Sequence, residues 1–178
     1  QSGDDAVGEA IDKGAKLICL GYPGGPEIER VAQDGDPMAC NFPQPMLHSS
    51  DYDFSFSGLK TAVLYAVQDI GEINSQTQAD IAASFQHAAT EVLIKKITKA
   101  LEDTGRESIV LAGGVAANKL LRNKISLLKS KLNVEVLYPP LSHCTDNAAM
   151  IAYLGSMKVN EATFSLASHA KPRWPLGS

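Results

Sequence analysis

The segment SHCTDNAAMIA (142–152) places one carboxylate, Asp146, in front of an otherwise apolar helical pattern. One interpretation is structural, because an acidic residue at a helix start favours the helix dipole and Thr145–Asp146 resembles an ordinary N-cap. The other is a metal ligand beside His143 and Cys144, although a metal site normally needs three or four protein ligands. No HxxxH pair, which would set two imidazoles on one helical face, occurs among the histidines His48, His87, His143 and His169. A metal site made from this chain alone is therefore unconvincing.

The segment SIVLAGGVAAN (108–118) predicts a strand, a turn at Gly113–Gly114 and a helix start. Without Cβ atoms these glycines let a ligand approach the backbone, and free N–H groups at a helix start attract an anion. Asn118 could hydrogen-bond a sugar or a base. The alternative is a tight turn between strand and helix whose glycines serve packing alone.

Asp12 lies on a predicted first helix, and a paired-glycine turn that includes Gly25 follows it. A carboxylate beside bare backbone could accept hydrogen bonds from ribose hydroxyls. Equally, Asp12 could be solvated and paired with Lys16, with a glycine ending the helix.

The segment FSFSGLK (54–60) combines two aromatic residues with a lysine. Such a combination can stack on a base while Lys60 contacts a phosphate. The commoner alternative is that Phe54 and Phe56 simply fill the core.

Apolar spacing and capping residues define the elements that position these groups. Helices are predicted over 5–18 with Asp4 or Asp5 as the cap, 57–70 with Ser57 as a possible cap, 77–105, 116–130 and 146–158. GYPGGP (21–26) ends the first helix, a short helical piece EIERVAQ (27–33) follows it, and 35–60 is a long loop. Strands are predicted over 108–114 and 133–140, so 108–158 forms a β-α-β-α unit, which implies parallel strands.

Composition restricts the class of protein. With 44% hydrophobic and 20% charged residues and a net charge of −4, the chain is typical of a folded domain without a protein-wide electrostatic attraction to nucleic acid. Three cysteines without CxxC spacing favour a reducing, cytoplasmic setting, and no apolar run is long enough to span a bilayer. Two parallel strands are too few for a self-sufficient sheet, so the chain is expected to be part of a larger fold.

Over nearly its whole length, the chain resembles the C-terminal half of the TsaD family of tRNA N6-adenosine threonylcarbamoyltransferases. The resemblance lies in seven segments in the family's order: DDAVGEAIDK (4–13), GYPGGPEIER (21–30), DFSFSGLKTAV (53–63), ADIAASFQ (79–86), LAGGVAANKLLR (111–122), CTDNAAMIAYLG (144–155) and KPRWPL (171–176). It implies an α/β, actin-like ATPase (ASKHA) fold, with two RNase H-like lobes and a nucleotide and a metal in the cleft between them.

The resemblance also implies transfer of a threonylcarbamoyl group from threonylcarbamoyl-AMP to N6 of the adenosine adjoining the anticodon, in tRNAs that read ANN codons. Asp12 and Gly25, with Glu29 as a helper, would hold the ribose region of the adenylate, and Asn118 in the Gly113–Gly114 turn segment would bind it from the other side. Asp146 would bind Fe2+ or Zn2+, and Lys60 is a candidate tRNA contact. TsaB-like and TsaE-like proteins are the implied protein partners.

The family's HxxxH histidines, its glycine-rich phosphate loop and the first strands of this lobe have no counterpart in residues 1–178. The chain is therefore interpreted as a C-terminal lobe fragment that lacks the N-terminal lobe, and it is expected to be inactive alone. Two alternatives remain: a non-catalytic lobe that binds tRNA or a partner, and another ASKHA-fold nucleotide-binding protein. FSGLK and KPRWPL favour the transferase over the latter, because they match family segments outside the shared nucleotide turns.

Overall fold

The computed structural model describes residues 2–46 and 49–161. The chain divides into two compact units, residues 1–145 and residues 146–178. The predicted family segment KPRWPL (171–176) and the residues His48 and His169 lie outside the described residues. No helix of the described residues is long and apolar enough to cross a membrane.

Helices dominate the first unit. Its described α-helices are α1 (Val7–Leu17), α2 (Gly24–Val31), α3 (Ser57–Ile70), α4 (Ser75–Thr104) and α5 (Lys119–Leu132). The helices predicted over 57–70 and 77–105 are confirmed. At the start of α4 the Asn74 side chain accepts a hydrogen bond from the Thr77 N–H, and at its end Gly105 adopts a left-handed φ of 62°. These are the standard devices for starting and stopping a helix.

The predicted N-caps of α1 and α3 are wrong. The N-cap of α1 is Ala6, which makes no side-chain cap, because Asp4 and Asp5 bind elsewhere. Asp4 accepts hydrogen bonds from Ser55 and from the Phe56 N–H, and Asp5 pairs with Lys13. Ser57, predicted as the cap of α3, is instead the first helical residue, and its hydroxyl donates to Asp4.

GYPGGP (21–26) is predicted to end the first helix and to precede the helical piece EIERVAQ (27–33), but its second half is itself helical. The segment Gly24–Pro26 forms the first turn of α2, whereas α1 already ends at Leu17. Proline is tolerated there because the first N–H groups of a helix have no intrahelical partner. A 3-10 turn, Ala32–Asp34, follows α2, and the described residues from 35 to 56 then contain no helix.

The two predicted strands are parallel, as expected, and α5 is the crossover between them. Strand β1 is Ser108–Val110 and strand β2 is Glu135–Leu137, with Ile109 opposite Val136. Both are shorter than predicted, and after β1 the chain turns at Gly113, whose φ is 87°. The mixed helix and sheet architecture with a small parallel sheet agrees with the predicted α/β class.

The two later helices begin after their predicted starts. The predicted helix 116–130 begins at Lys119, because Gly114–Ala117 forms a 3-10 turn and Asn118 is the N-cap of α5. In the second unit, α6 spans Ala148–Met157 and its N-cap is Asn147, whose Oδ1 accepts from the Met150 N–H at 3.0 Å. The predicted cap at Thr145–Asp146 is therefore wrong.

The core of the first unit lies among α1, α2, α3 and α4. Its largest buried side chains include Ile18, Ile28, Phe56, Leu59, Ile81, Phe85 and Val92. Phe56 is 1% exposed and stacks on Phe54 with ring centroids 6.0 Å apart, so the core interpretation of the FSFSGLK aromatics is correct for Phe56. A smaller cluster of Leu101, Leu128 and Val134 lies beside the sheet.

Candidate functional site

Asp12 joins α1 to the start of α2. Its Oδ1 accepts a hydrogen bond from the Gly24 N–H at 2.8 Å, which gives α2 a cap from a neighbouring helix. The two helices approach so closely that a Cβ on Gly24 would lie 2.8 Å from both Ala15 Cβ and Asp12 Cα. The partner that the structure gives to Asp12 is thus the Gly24 N–H and not Lys16, and Gly24–Gly25 begins α2, whereas the alternative had a glycine ending α1.

Gly25 and Asn118, predicted to contact the same nucleoside, line one narrow cleft. Apolar side chains of α1, α2 and α4 and Val115 form most of its wall, and Gln86 and Thr90 supply polar groups. Its volume of about 10 Å³ is room for a single water at most. The structure thus brings these two predicted residues together, but a nucleoside cannot enter the space between them.

Asn118 has both ends of its side chain engaged. Its Oδ1 accepts from the Leu121 N–H at 2.9 Å, which caps α5, and its Nδ2 donates to Gln86 Oε1 at 2.8 Å. Gln86 is only 8% exposed on α4, and sequence reasoning missed it. The signal was a glutamine inside the buried stretch of ADIAASFQ, since buried amides require a partner.

Glu29 links α2 to the start of α5 beside Asn118. One carboxylate oxygen lies 3.4 Å from the Lys119 N–H, and the other lies 3.8 Å from Lys119 Nζ. The Glu29 side chain is 20% exposed. Gly25, Glu29 and Asn118 therefore meet at one junction of α2 with the segment that precedes α5.

Gly113 and Gly114 present open backbone. A Cβ added at either position would meet no atom within 4 Å, so packing alone does not explain them. The left-handed φ of 87° does explain a glycine at position 113. A 3-10 turn follows Gly113 directly, and the α-helix begins only at Lys119 with Asn118 as its cap. The predicted anion site at this turn stays a prediction.

Lys60, the predicted tRNA contact, belongs to a charged cluster at the start of the chain. Its Nζ lies 3.5 Å from Asp5 Oδ2, and the Lys60 side chain is 34% exposed. Asp5 also accepts a 2.8 Å hydrogen bond from Lys13, which lowers the pKa of the Asp5 carboxyl. The positive charge of Lys60 is therefore partly compensated within the chain.

Asp4, beside this cluster, links the first residues to the FSFSGLK segment through hydrogen bonds from Ser55, Ser57 and the Phe56 N–H. Burial alone would raise the pKa of its carboxyl, but hydrogen bonds from the Ser55 and Ser57 hydroxyls and from backbone N–H groups outweigh that effect and lower the pKa to about 2. Asp4 is consequently ionised throughout the physiological range.

Asp146 is exposed and precedes α6 by one residue, Asn147. Within residues 2–46 and 49–161, no group of three or more His, Cys, Asp or Glu side chains could hold a metal ion. In the first unit Cys144 is buried, with its Sγ 3.2 Å from Arg122 Nη2. The donor set of the described residues does not fit a complete metal site, since one exposed carboxylate supplies one ligand.

Known proteins match this chain along most of its length. A family model described as "TsaD: tRNA N6-adenosine threonylcarbamoyltransferase" matches residues 1–153. The chain is 58% identical over 152 residues to a protein of that name from Thermosipho africanus, covering 85% of this chain and 46% of the relative. It is 51% identical over 180 residues to one from Herminiimonas arsenicoxydans, covering 98% and 53%.

A third relative, from Bordetella pertussis, is 50% identical over 182 residues, covering 97% of this chain and 53% of its own length, and it bears the same name. The chain thus spans about half the length of the curated relatives it matches. That name describes a transferase. With a family match over residues 1–153 and relatives at 50–58% identity, the chain belongs to the TsaD family of tRNA N6-adenosine threonylcarbamoyltransferases.

Proposed function

We propose that this chain supplies the nucleotide side of a transferase that moves a threonylcarbamoyl group from threonylcarbamoyl-AMP to N6 of the adenosine adjoining the tRNA anticodon. The observation that carries the proposal is the convergence of Gly25, Glu29 and Asn118 at one junction, with Asp12 on the adjoining turn of α1. The relatives' name supplies the transferred group and its acceptor, N6 of a tRNA adenosine.

In this proposal the nucleoside lies across the mouth of the cleft, because the cleft itself admits no more than a water. Asp12 Oδ1 is committed to the Gly24 N–H, whereas Oδ2 accepts no hydrogen bond from the described residues and is left for a ribose hydroxyl. The glycines at positions 25, 113 and 114 carry no Cβ, so a ligand can approach the backbone there.

We also propose that the chain is one lobe of a two-lobed ASKHA fold whose sheet contains further strands. Each strand of the β1–β2 pair is three residues long, and Val110 and Leu137 are 73% and 48% exposed. Parallel sheets are normally buried on both faces, so additional strands and a covering layer account for these side chains.

Asp146 contributes one oxygen ligand to a shared Fe2+ or Zn2+ site in this proposal, and imidazoles of an HxxxH pair on the N-terminal lobe complete it. TsaB-like and TsaE-like proteins are the proposed protein partners. Because one exposed carboxylate does not make a metal site, we expect no transfer from this chain by itself.

The test combines the 178-residue chain with a separately expressed N-terminal half of a relative that carries HxxxH. Threonylcarbamoyl-AMP and unmodified tRNA are added, and mass spectrometry measures the modified nucleoside. We expect product only when both pieces are present, and loss of product with Asp146→Ala. The matched control is Asp69→Ala, which changes an exposed aspartate of α3. A folded complex that binds tRNA without transfer would instead favour the non-catalytic binding lobe.

The ion pair between Lys60 and Asp5 allows the role of Lys60 to be tested with two variants that should change tRNA affinity in opposite directions. If Lys60 contacts tRNA, Lys60→Ala weakens tRNA binding by the assembled complex at low salt. Asp5→Asn strengthens it, because the lysine charge is no longer compensated. Salt should reduce both effects, since phosphate contacts are screened. Equal tRNA affinity of both variants and the wild type would remove Lys60 from the interface.

A further inference from the structure

The side-chain amides of Gln86 and Asn118 form a pair across the narrow cleft, and their orientation is determined by the chain itself. Because Asn118 Oδ1 accepts from the Leu121 N–H, its Nδ2 must face Gln86. A reversed amide would direct two donors at each other and leave the cap of α5 unmade. Gln86 Oε1 is therefore the acceptor of this pair, and Gln86 Nε2 is directed away from it.

Gln86 is a buried polar residue of the main core. It is 8% exposed within α4, a 30-residue helix that forms one side of that core. Its neighbours Phe85 and Ala89 are buried apolar residues, so the amide lies in an apolar setting where a polar group needs a partner. Asn118 follows the 3-10 turn Gly114–Ala117, in which Ala116 is also buried. The amide pair therefore joins α4 to the segment that precedes α5.

From this geometry we infer that Gln86 is a positioning residue, which acts through Asn118 by holding its amide so that the second Nδ2 hydrogen meets an acceptor on the nucleoside. The inference rests on the proposed function, since it requires a nucleoside at the mouth of this cleft. It specifies the chemistry that Asn118 recognises: a ribose oxygen or a ring nitrogen with a free lone pair, and not a donor such as an amino group.

Without Gln86 the Asn118 amide still caps α5 through Oδ1, but one of the two hydrogen bonds that hold its amide plane is lost. Gln86→Met removes the acceptor at similar volume, whereas Gln86→Glu keeps an acceptor and removes the Nε2 donor. The two variants separate positioning through Asn118 from direct donation by Gln86. The matched control is Gln78→Met, because Gln78 is also a part-buried glutamine of α4, and its amide binds the Ile18 carbonyl, away from Asn118.

The experiment is an adenosine titration of the 15N-labelled 178-residue chain at pH 8, followed by NMR. Adenosine is used because it is uncharged, so the added charge in Gln86→Glu has little effect on the ligand. We expect Gln86→Met and Asn118→Ala each to weaken adenosine binding about fivefold, the size expected from one hydrogen bond. The double variant should bind no more weakly than Asn118→Ala alone, since residues that act through one contact are not additive. Gln86→Glu and Gln78→Met should bind within about twofold of the wild type.

The inference would be overturned, with the nucleoside site left intact, by Gln86→Met binding like the wild type or by losses in the double variant that multiply. An equal loss in Gln86→Glu would assign the effect to the Nε2 donor and also overturn it. Absence of adenosine binding by the wild type would defeat the proposed site together with the inference. A ligand-free readout separates folding from positioning: the Asn118 side-chain NH2 signals should shift in Gln86→Met and stay unchanged in Gln78→Met.

Discussion

Two adjacent glycines at the start of α2 should respond to the same substitution in opposite ways. Gly24 faces α1, where an added Cβ would lie 2.8 Å from Ala15 Cβ and from Asp12 Cα. Gly25 faces the cleft, where an added Cβ would lie 3.9 Å from Ile11 Cγ2, an ordinary contact. We therefore expect Gly24→Ala to destabilise the fold and Gly25→Ala to leave stability unchanged or slightly improved.

The magnitude follows from the separation that the new methyl group requires. Carbon atoms pack best at about 3.5–4.0 Å, so α1 and α2 must part by about 1 Å at Gly24. Overpacking of this kind costs about 1–3 kcal/mol, and the movement also weakens the charged hydrogen bond from the Gly24 N–H to Asp12, worth roughly 1.5–3 kcal/mol when intact. Replacing glycine by alanine within a helix stabilises the helix by up to about 1 kcal/mol, which offsets part of this destabilisation. The net destabilisation for Gly24→Ala is about 2 kcal/mol.

Urea denaturation followed by circular dichroism measures both variants. For a denaturant dependence of about 2 kcal/mol per molar, Gly24→Ala should lower the unfolding midpoint by roughly 1 M. Gly25→Ala should keep its midpoint and yet weaken adenosine binding, because its methyl group intrudes where the ligand approaches. Equal midpoints for the two variants would refute the reasoning about the contact between α1 and α2. Unchanged adenosine affinity in Gly25→Ala would refute the assignment of Gly25 to the site.

Three further predictions concern stability. Asp4→Asn should lower the free energy of unfolding by on the order of 1 kcal/mol at pH 7, after allowance for solvent exposure. Because the folded pKa of about 2 lies below the ordinary value of 3.8, the difference in stability between wild type and variant in urea denaturation should shrink as pH falls from 4 to 2. A difference that does not change with pH would contradict this prediction. Gly35→Ala should lower the free energy of unfolding by about 3 kcal/mol or more, because the new Cβ would lie 2.0 Å from the Ala79 carbonyl oxygen of α4. A variant with the melting temperature of the wild type would contradict this. Asn74→Ala should lower the free energy of unfolding in urea by about 1 kcal/mol, because it removes the hydrogen bond that caps the Thr77 N–H. Ser75→Ala, whose side chain is not part of that cap, should lower it less.

The parts of the fold that the sequence predicted depend on local signals. Helix α4 carries a long apolar stripe and ends at Gly105, and neither signal needs knowledge of the rest of the chain. The parallel pairing of β1 and β2 follows from the alternation of strand and helix around α5. In these cases the local preference and the tertiary packing agree.

Helix starts were predicted less well, because a side chain that could cap a helix can instead bind a partner far away in sequence. Asp4 is a good cap by residue type, yet it binds Ser55 and the Phe56 N–H, more than 50 positions away. At α6 the cap is Asn147, which lies nearer the helix than the predicted Thr145–Asp146. No local pattern reveals which of several polar residues the fold engages.

The candidate site shows the same division between local and distant information. Asp12, Gly25, Glu29 and Asn118 were selected by residue type and by resemblance, and three of them meet at one junction. Gln86 was missed because its link to Asn118 joins residues 32 positions apart. A glutamine in a buried helical stretch was the only trace of that link in the sequence.

The polar candidates share a feature that bears on how the site can be tested. Asp12 commits Oδ1 to the Gly24 N–H, and Asn118 commits Oδ1 to α5 and one Nδ2 hydrogen to Gln86. One oxygen of Asp12 and one hydrogen of Asn118 remain for a ligand, in directions fixed by the other bonds. Such preorganisation favours binding because these side chains lose little conformational entropy when the ligand binds. It also means that removing either side chain damages the fold and the site together. Gly25 makes no such side-chain bond, so Gly25→Ala is the substitution that isolates ligand binding from folding.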